Sequence, residues 1–297
     1  MENNAVKNEN SQQDTQTLYQ RRDIRECLKA AWTLLTTNFK RITKAAAIPT
    51  LIIAVGMVLY MPEVLQRTIH AFVSPSYTAN TETGSYVQLY LGMLILIAGV
   101  IYLYGSIAQL VNGKPLSPNI LRAAKAVMAA LAVCVAVALA CYFIVDATVS
   151  KSPTLGAALA LMTVAVVFIA LQPLHYTAMK YIVETDTRLS VLWTSYRAGL
   201  KNYWLIFGTT ILVTLVAHLA SLPANLPLGI ALLSQTLATK GQLEGDPLGL
   251  PDNFAYILRF IIVIYVIVKV FCGIFIYISL YYCYASIEAR NGRSGVA

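Results

Sequence analysis

Six long runs of apolar residues recur along the chain, and polar segments separate them. A helix needs about 20 mostly apolar residues to cross a hydrocarbon layer about 30 Å thick, so each run is long enough for one crossing. The runs are continuously apolar, as in 94–100 and 164–171, whereas strands of a membrane barrel alternate apolar and polar positions. The pattern therefore predicts an all-α, polytopic membrane protein with six transmembrane helices. The predicted spans are 44–61, 86–111, 126–148, 154–174, 205–222 and 258–282.

The segments around the spans define the rest of the organisation. The polar residues 1–17 predict a disordered tail without the apolar core of a cleaved signal peptide. Residues 18–43 predict an amphipathic helix in the membrane interface, 44–287 the six-helix transmembrane domain, and 288–297 a cytoplasmic tail. Residues 223–254 are rich in Gly and Pro and predict a long outer loop, with a short surface helix within it at 226–237.

The distribution of charge predicts the orientation. The chain is 58% hydrophobic and 12% charged, too apolar for a globule in water. Only Arg67, Lys151, Lys240 and Arg259 fall in predicted outer segments, and every other Lys and Arg except Lys269 lies in an inner segment. The positive-inside rule therefore places both termini in the cytoplasm. The net charge of +8 is dispersed beside membrane ends, where anionic lipid headgroups are the expected partners, and no nucleic-acid partner is expected.

Two segments that precede spans resemble each other and predict interfacial helices. Aligning 31–42 with 195–206 matches Trp32 with Tyr196 and Phe39 with Tyr203, and both segments have apolar stripes at helical spacing with basic flanks. Aromatic and basic residues of this kind lie at headgroup depth on the inner leaflet. The predicted lipid-facing residues are Trp32, Phe39, Lys40, Arg41, Tyr196, Arg197, Lys201, Tyr203 and Trp204.

The ends of the even-numbered spans also match. They read Asn112-Gly113-Lys114, Asp186-Thr187-Arg188 and Asn291-Gly292-Arg293, turn sequences that end helices through left-handed backbone geometry. We infer three parallel hairpin repeats, each with an inner-leaflet lead helix. Spans three and four are dense in alanine, which permits close helix contact and predicts that this hairpin is central or an oligomer face.

Four segments resemble a bacterial membrane family. They are 173–176 (PLHY), 181–184 (YIVE), 192–199 and 202–204 (NYW). They are similar to YciC-like six-helix membrane proteins and to the integral-membrane domain fused to some glycerophosphodiester phosphodiesterases. The resemblance implies a multi-pass protein of the bacterial inner membrane and supplies no catalytic residue.

Lys269 lies near the middle of the last apolar run. A lone charge there costs roughly 2.5 kcal/mol or more and has to find a polar partner inside the helix bundle. Asp146 in span three is the predicted partner, in direct contact or through water, with Tyr265 as a bridge. A clasp that specifies packing and a gating or proton-relay role both remain open.

Motifs for enzyme chemistry are absent from the sequence. It contains no HExxH, no G-x-S-x-G, no phosphate loop and no paired carboxylates near the predicted inner ends. The five cysteines lie in predicted membrane or cytoplasmic segments, which argues against disulfides. We therefore expect no cofactor, no metal site and no catalytic residue.

Three classes of function follow from this organisation. The first is a non-enzymatic inner-membrane protein that binds or organises lipid, a second copy of itself or another membrane protein. The second is a small transporter or channel with Lys269 in a central polar cavity. The third is a lipid-modifying enzyme, which two acids or histidines converging at headgroup depth would favour.

Overall fold

A computed structural model describes residues 19–73, 83–149, 153–184, 187–245 and 249–292. Within these ranges every regular element is a helix. The helices are α1 Ile24–Thr37, α2 Phe39–Val73, α3 Thr83–Asn112, α4 Leu116–Val149, α5 Pro153–Val183, α6 Val191–Thr194, α7 Tyr196–Lys201, α8 Tyr203–Leu243 and α9 Phe254–Arg290. The predicted tail 1–17 and residues 293–297 lie outside the described residues.

Six of these helices are long and apolar enough to cross a membrane. The candidate spans are Phe39–Ile69, Tyr86–Asn112, Leu116–Thr148, Thr154–Val183, Tyr203–Gln242 and Phe254–Arg290. Each contains one of the predicted apolar runs. The prediction of six apolar helices long enough to cross a membrane is therefore confirmed, and it indicates a multi-pass membrane protein.

The helices extend beyond the predicted runs. α8 continues through Pro223 and Pro227 to Leu243, so 226–237 belongs to a membrane helix and forms no separate surface helix. The reason is a buried apolar stripe, Ala224, Leu228 and Ala231, that continues at helical spacing past the prolines. Packing of this stripe outweighs the turn tendency of proline, which transmembrane helices tolerate.

At the two ends of the described chain the helix limits also differ from the predicted ones. The segment 18–43 holds two helices, because a turn at Asn38 separates α1 from the start of α2. The last helix continues past residue 287 to Arg290.

The chain divides into two compact units. Unit 1 consists of Met1–Thr37, Ala108–Val213 and Ile276–Ala297, and unit 2 of Asn38–Ile107 and Thr214–Phe275. Unit 1 therefore contains α1 and α4 to α7, and unit 2 contains α2 and most of α3.

In unit 2, α2 and α3 form a closely packed antiparallel hairpin. A Cβ atom added at Gly56 would lie 2.6 Å from the backbone nitrogen of Leu96, and one at Gly92 would lie 2.7 Å from that of Tyr60. Only glycine allows this approach, which lets the helices gain dispersion contacts along their backbones. At the far end of the hairpin the guanidinium of Arg67 lies 4.0 Å from the ring centre of Tyr86.

In unit 1, α1 packs on protein through one face. Cys27, Ala31 and Leu35 are buried at helical spacing, and Ile24 contacts α8 at Gly208. A capping box starts the helix: the Asp23 amide donates to Glu26 Oε2 (3.0 Å), and the Glu26 amide donates to Asp23 Oδ1 (2.8 Å). The apolar face of α1 therefore covers other helices.

The turn after α3 has the predicted left-handed geometry. Gly113 has φ of 67° and Gly292, after α9, has φ of 94°. Between α3 and α4 the side-chain amides of Asn112 and Asn119 bond each other at 2.9 and 3.2 Å. The third predicted exit, 186–188, differs. Among the described residues only glycines have positive φ, so Thr187 does not have the left-handed geometry.

The alanine-rich stretches of α4 and α5 are exposed in the single chain. In the most apolar stretch of α4 no residue is buried, and in that of α5 only 6% are. The prediction that this hairpin is central is therefore wrong for the single chain, because its alanine-rich faces contact few other helices. An oligomer face stays a prediction.

Candidate functional site

Five side chains of α5 and α9, and of the residue after α5, form a polar group in unit 1, here called the Lys180 cluster. Its members are Tyr176, Lys180, Glu184, Tyr284 and Glu288. The Lys180 ammonium donates to Glu288 Oε1 at 2.9 Å and lies 4.0 Å from Glu184 Oε1. The Tyr176 hydroxyl donates to Glu288 Oε1 at 2.5 Å, and the Tyr284 hydroxyl donates to Glu184 Oε1 at 2.7 Å. One ammonium and two phenols therefore hold two carboxylates together.

Helical spacing on both elements produces this arrangement. Tyr176, Lys180 and Glu184 follow one another at intervals of four, so they share one face of α5 and its continuation. Tyr284 and Glu288 are also four apart and share a face of α9. When the two faces meet, each carboxylate finds a phenol on the other helix.

Burial makes the Lys180 cluster costly to disturb. Glu288 is only 4% exposed, and an ion in such a place is tolerated only when charge and hydrogen bonds compensate the lost water. The Lys180 ammonium and the Tyr176 phenol, which both donate to it, supply this compensation. The cluster therefore fixes the pairing of α5 with α9.

Arg122 of α4 binds the end of α5. Its guanidinium donates to the carbonyl oxygens of Tyr181, Glu184 (2.7 Å) and Thr187 (3.1 Å), and it lies 4.3 Å from the ring centre of Tyr181. The last carbonyls of a helix lack partners within the helix and carry partial negative charge. Arg122 therefore caps α5 next to the Lys180 cluster.

The pairing of these acids is not predicted from the sequence. No paired carboxylates are expected near the predicted inner ends, yet Glu184 and Glu288 both lie close to one ammonium. This expectation is wrong, because the two residues are 104 positions apart and only the packing of α5 against α9 joins them. Such convergence was the feature that would favour an enzyme. Glu288, however, is buried and bound, which is the state of a structural ion pair rather than of a base open to substrate.

A second polar group surrounds Lys269 in unit 2. Its ammonium donates to Ser221 Oγ of α8 at 3.1 Å and lies 5.5 Å from the ring centre of Tyr265. Ser221 also accepts from Asn225 Nδ2 at 3.3 Å and donates to the His218 carbonyl at 2.9 Å. Tyr265 is thus close to Lys269, and its predicted role as a bridge to Asp146 stays a prediction. The predicted contact with Asp146 stays a prediction.

A third feature is an aromatic and basic surface on α6, α7 and the start of α8, here called the Trp193 surface. It consists of Trp193, Arg197, Lys201 and Trp204. Trp193 and Trp204 are 81% and 77% exposed, the highest values among the large apolar side chains of the described residues. Arg197 and Lys201 are exposed as well. The four residues follow one another at intervals of four, four and three, which is helical spacing.

The opposite face of α7 packs on α5. A Cβ atom at Gly199 would lie 2.9 Å from the Pro173 carbonyl oxygen, so the two helices are in close contact there. The Tyr196 hydroxyl donates to the Ala170 carbonyl at 2.7 Å. Tyr196, predicted to face lipid, is therefore half-buried and anchors α7, while the residues of the Trp193 surface are exposed.

The remaining predicted lipid-facing residues are distributed over both units. Trp32 of α1 is 60% exposed, and Tyr203 stacks on Phe207 with ring centres 5.5 Å apart. Phe39 in unit 2 stacks on Phe271 at 5.8 Å. Lys40 and Arg41 next to it are exposed.

The cysteines are all free thiols. Burial raises the pKa of the Cys27 thiol to about 11, and the nearby guanidinium groups of Arg22 and Arg290 only partly oppose this rise. Cys27 is therefore protonated and unreactive near neutral pH. Over the part of the chain that the structure describes, no group of three or more His, Cys, Asp or Glu side chains is placed to hold a metal ion.

No family model, curated protein or solved structure matches this chain. The resemblance to YciC-like membrane proteins therefore stays a prediction.

Proposed function

We propose that this protein is a non-enzymatic membrane protein that binds anionic lipid headgroups through the Trp193 surface. The observation that carries the proposal is the exposure of Trp193 and Trp204 beside two exposed cations. Indole rings prefer the headgroup layer, because their apolar body and N–H group suit a boundary between hydrocarbon and water. If these two rings were exposed only to water, hydration of their apolar surface would be unfavourable.

The anchoring of α7 supports this function. Gly199 and Tyr196 hold α7 against α5, so α7 and the cations Arg197 and Lys201 on it have a fixed position. A rigid surface loses little conformational entropy when it binds. We infer that α7 lies in the plane of the interface, at the inner leaflet of the bacterial plasma membrane.

Charge gives the preference for anionic lipid. Each Lys or Arg close to an anionic surface contributes about 1 kcal/mol. Arg197 and Lys201 together therefore contribute about 2 kcal/mol, which corresponds to about a thirtyfold preference over zwitterionic lipid. Their spacing of four residues places both side chains toward the same headgroup layer.

Tryptophan fluorescence tests the depth of the surface. The chain has three tryptophans, so Trp32→Phe leaves only Trp193 and Trp204 as reporters. In vesicles, a spin-label quencher near the headgroup is expected to quench more strongly than one deep in the acyl chain. Stronger quenching by the deep label, or none by either, would contradict an interfacial position.

Lipid retention tests the charge. The variant Arg197→Gln with Lys201→Gln is expected to lose about thirtyfold in apparent affinity for phosphatidylglycerol, measured by native mass spectrometry in detergent. The matched control, Lys240→Gln with Arg259→Gln, removes the same charge from two exposed positions elsewhere. An equal loss in both variants would show that net charge, and not the Trp193 surface, attracts the lipid.

A further inference from the structure

Lys269 carries a positive charge whose protein contacts are all neutral. Among the described residues no carboxylate oxygen lies within the 4.0 Å of an ion pair, and the contacts of the ammonium are the Ser221 hydroxyl and the Tyr265 ring. An ammonium has three N–H donors. One is used by Ser221, and two remain without an acceptor in the described part of the chain. A charge within an apolar span needs more compensation than one hydroxyl and one aromatic ring provide.

The Ser221 hydroxyl has no hydrogen-bonding capacity left to compensate the charge on Lys269. Its oxygen accepts from Lys269 and from Asn225, and its own proton goes to the His218 carbonyl. The hydroxyl is fully buried and held by three hydrogen bonds. The hydroxyl therefore has a fixed position and orients both the Lys269 ammonium and the Asn225 amide.

Lys269 and Asn225 both keep N–H donors that Ser221 does not use. Lys269 has two N–H bonds and the Asn225 amide has one N–H bond without a partner among the described residues. Lys269 is half-buried, whereas Ser221 is fully buried. A cationic group with neighbouring amide donors is suited to an anion with several acceptor oxygens.

We propose that Lys269, Ser221 and Asn225 form a binding site for an oxyanion, either the phosphate of a lipid headgroup or a small soluble phosphate. Lys269 and Asn225 donate to the anion, and Ser221 holds both in position. In the low dielectric of a membrane protein such a contact is stronger than the same contact in water. The site is independent of the Trp193 surface, because its residues belong to unit 2.

The test uses protein in which the Trp193 surface is already disabled by Arg197→Gln and Lys201→Gln, so that the two lipid sites are separated. After delipidation in nonionic detergent, phosphatidylglycerol or inorganic phosphate is added, and binding is followed by native mass spectrometry and by thermal stability. Lys269→Met is expected to reduce the apparent affinity at least tenfold, which is 1.4 kcal/mol. Lys240→Met, the loss of an exposed lysine of unit 2, is expected to leave it unchanged.

The two ligands distinguish the source of the anion. Binding of phosphatidylglycerol alone assigns the site to lipid, and binding of inorganic phosphate assigns it to a soluble anion. If neither binds, or if Lys269→Met and Lys240→Met behave alike, the proposal is overturned. Should Lys269→Met fail to fold, Asn225→Ala keeps the ammonium and removes one donor. A severalfold loss in Asn225→Ala supports the site, and unchanged binding rejects it.

Discussion

Glu288→Gln is the sharpest test of the structural role assigned to the Lys180 cluster. The substitution keeps the shape of the side chain and removes the charge that faces Lys180 at 2.9 Å. The Lys180 and Glu288 side chains are 19% and 5% exposed, so the remaining ammonium is poorly solvated. Removing one partner of a buried ion pair costs about 3–5 kcal/mol. The partial exposure of Lys180, and the Glu184 carboxylate that remains 4.0 Å from it, favour the lower limit, about 3 kcal/mol.

The chain contains its own control. Lys240 and Glu244 form an ion pair at 3.6 Å, but their side chains are 60% and 66% exposed. A pair of this kind contributes about 0.5 kcal/mol or less, because water screens it and both side chains lose entropy. Glu244→Gln therefore removes the same charge from the same type of ion pair, but from one that is exposed to solvent.

Thermal unfolding in detergent measures the difference. A loss of 1 kcal/mol lowers the melting temperature of a chain of this size by about 2 °C, so Glu288→Gln is expected to lower it by about 6 °C and Glu244→Gln by about 1 °C. Lys180→Met completes a double-mutant cycle with Glu288→Gln, and the double variant is expected to be less destabilised than the sum of the single variants. Equal shifts for Glu288→Gln and Glu244→Gln, or strict additivity in the cycle, would refute the reasoning.

Two further predictions concern packing and thiol chemistry. Gly92→Leu is expected to abolish the folded state, measured by size-exclusion chromatography, because its Cβ would lie 2.7 Å from the Tyr60 backbone nitrogen. Gly229→Ala meets no atom within 4 Å and should behave as the unchanged protein; normal folding of Gly92→Leu would disprove the close approach. Because the pKa of Cys27 is raised to about 11 from its usual 9.0, the folded thiol stays protonated while the unfolded one ionises, so this group's contribution to stability decreases as pH rises from 9 to 11. A maleimide should label Cys27 at pH 8 only after denaturation, and labelling of the folded protein at the rate of a free thiol would contradict its burial.

The six membrane helices could be predicted because their signal is local. Length and continuous hydrophobicity are properties of each run alone, and the glycines at 113 and 292 mark the ends of α3 and α9. The end of α8 could not be predicted in this way. Pro223 and Pro227 are turn signals in the sequence, and only the burial of Ala224 and Leu228 keeps the helix continuous.

The Lys180 cluster shows why a site can escape a sequence analysis. The intervals of four between Tyr176, Lys180 and Glu184 are visible, but they indicate only a shared helix face. Their partners on α9 are at least 100 positions away. A single sequence carries no signal that α5 and α9 meet. A structure was needed to show that Tyr284 and Glu288 complete the group.

Lys269 illustrates an intermediate case. Its need for a polar partner follows from its place in an apolar run, and hydrogen bonding to Ser221 meets part of that need. Asp146 is the partner predicted from the sequence, because a carboxylate is the expected counter-charge. A serine in an apolar helix changes the hydropathy pattern too little to be singled out.

The contacts of Arg22 have a consequence for biosynthesis. Its backbone amide donates to the Ser286 hydroxyl at 2.8 Å, and this bond joins residues 264 positions apart. A ribosome adds about 5–20 residues per second, so Arg22 is made about 13 to 50 seconds before Ser286 exists. The chain at the start of α1 therefore cannot make this contact until α9 has been synthesised. Docking of α1 belongs to the last steps of assembly, after translation has reached the final helix.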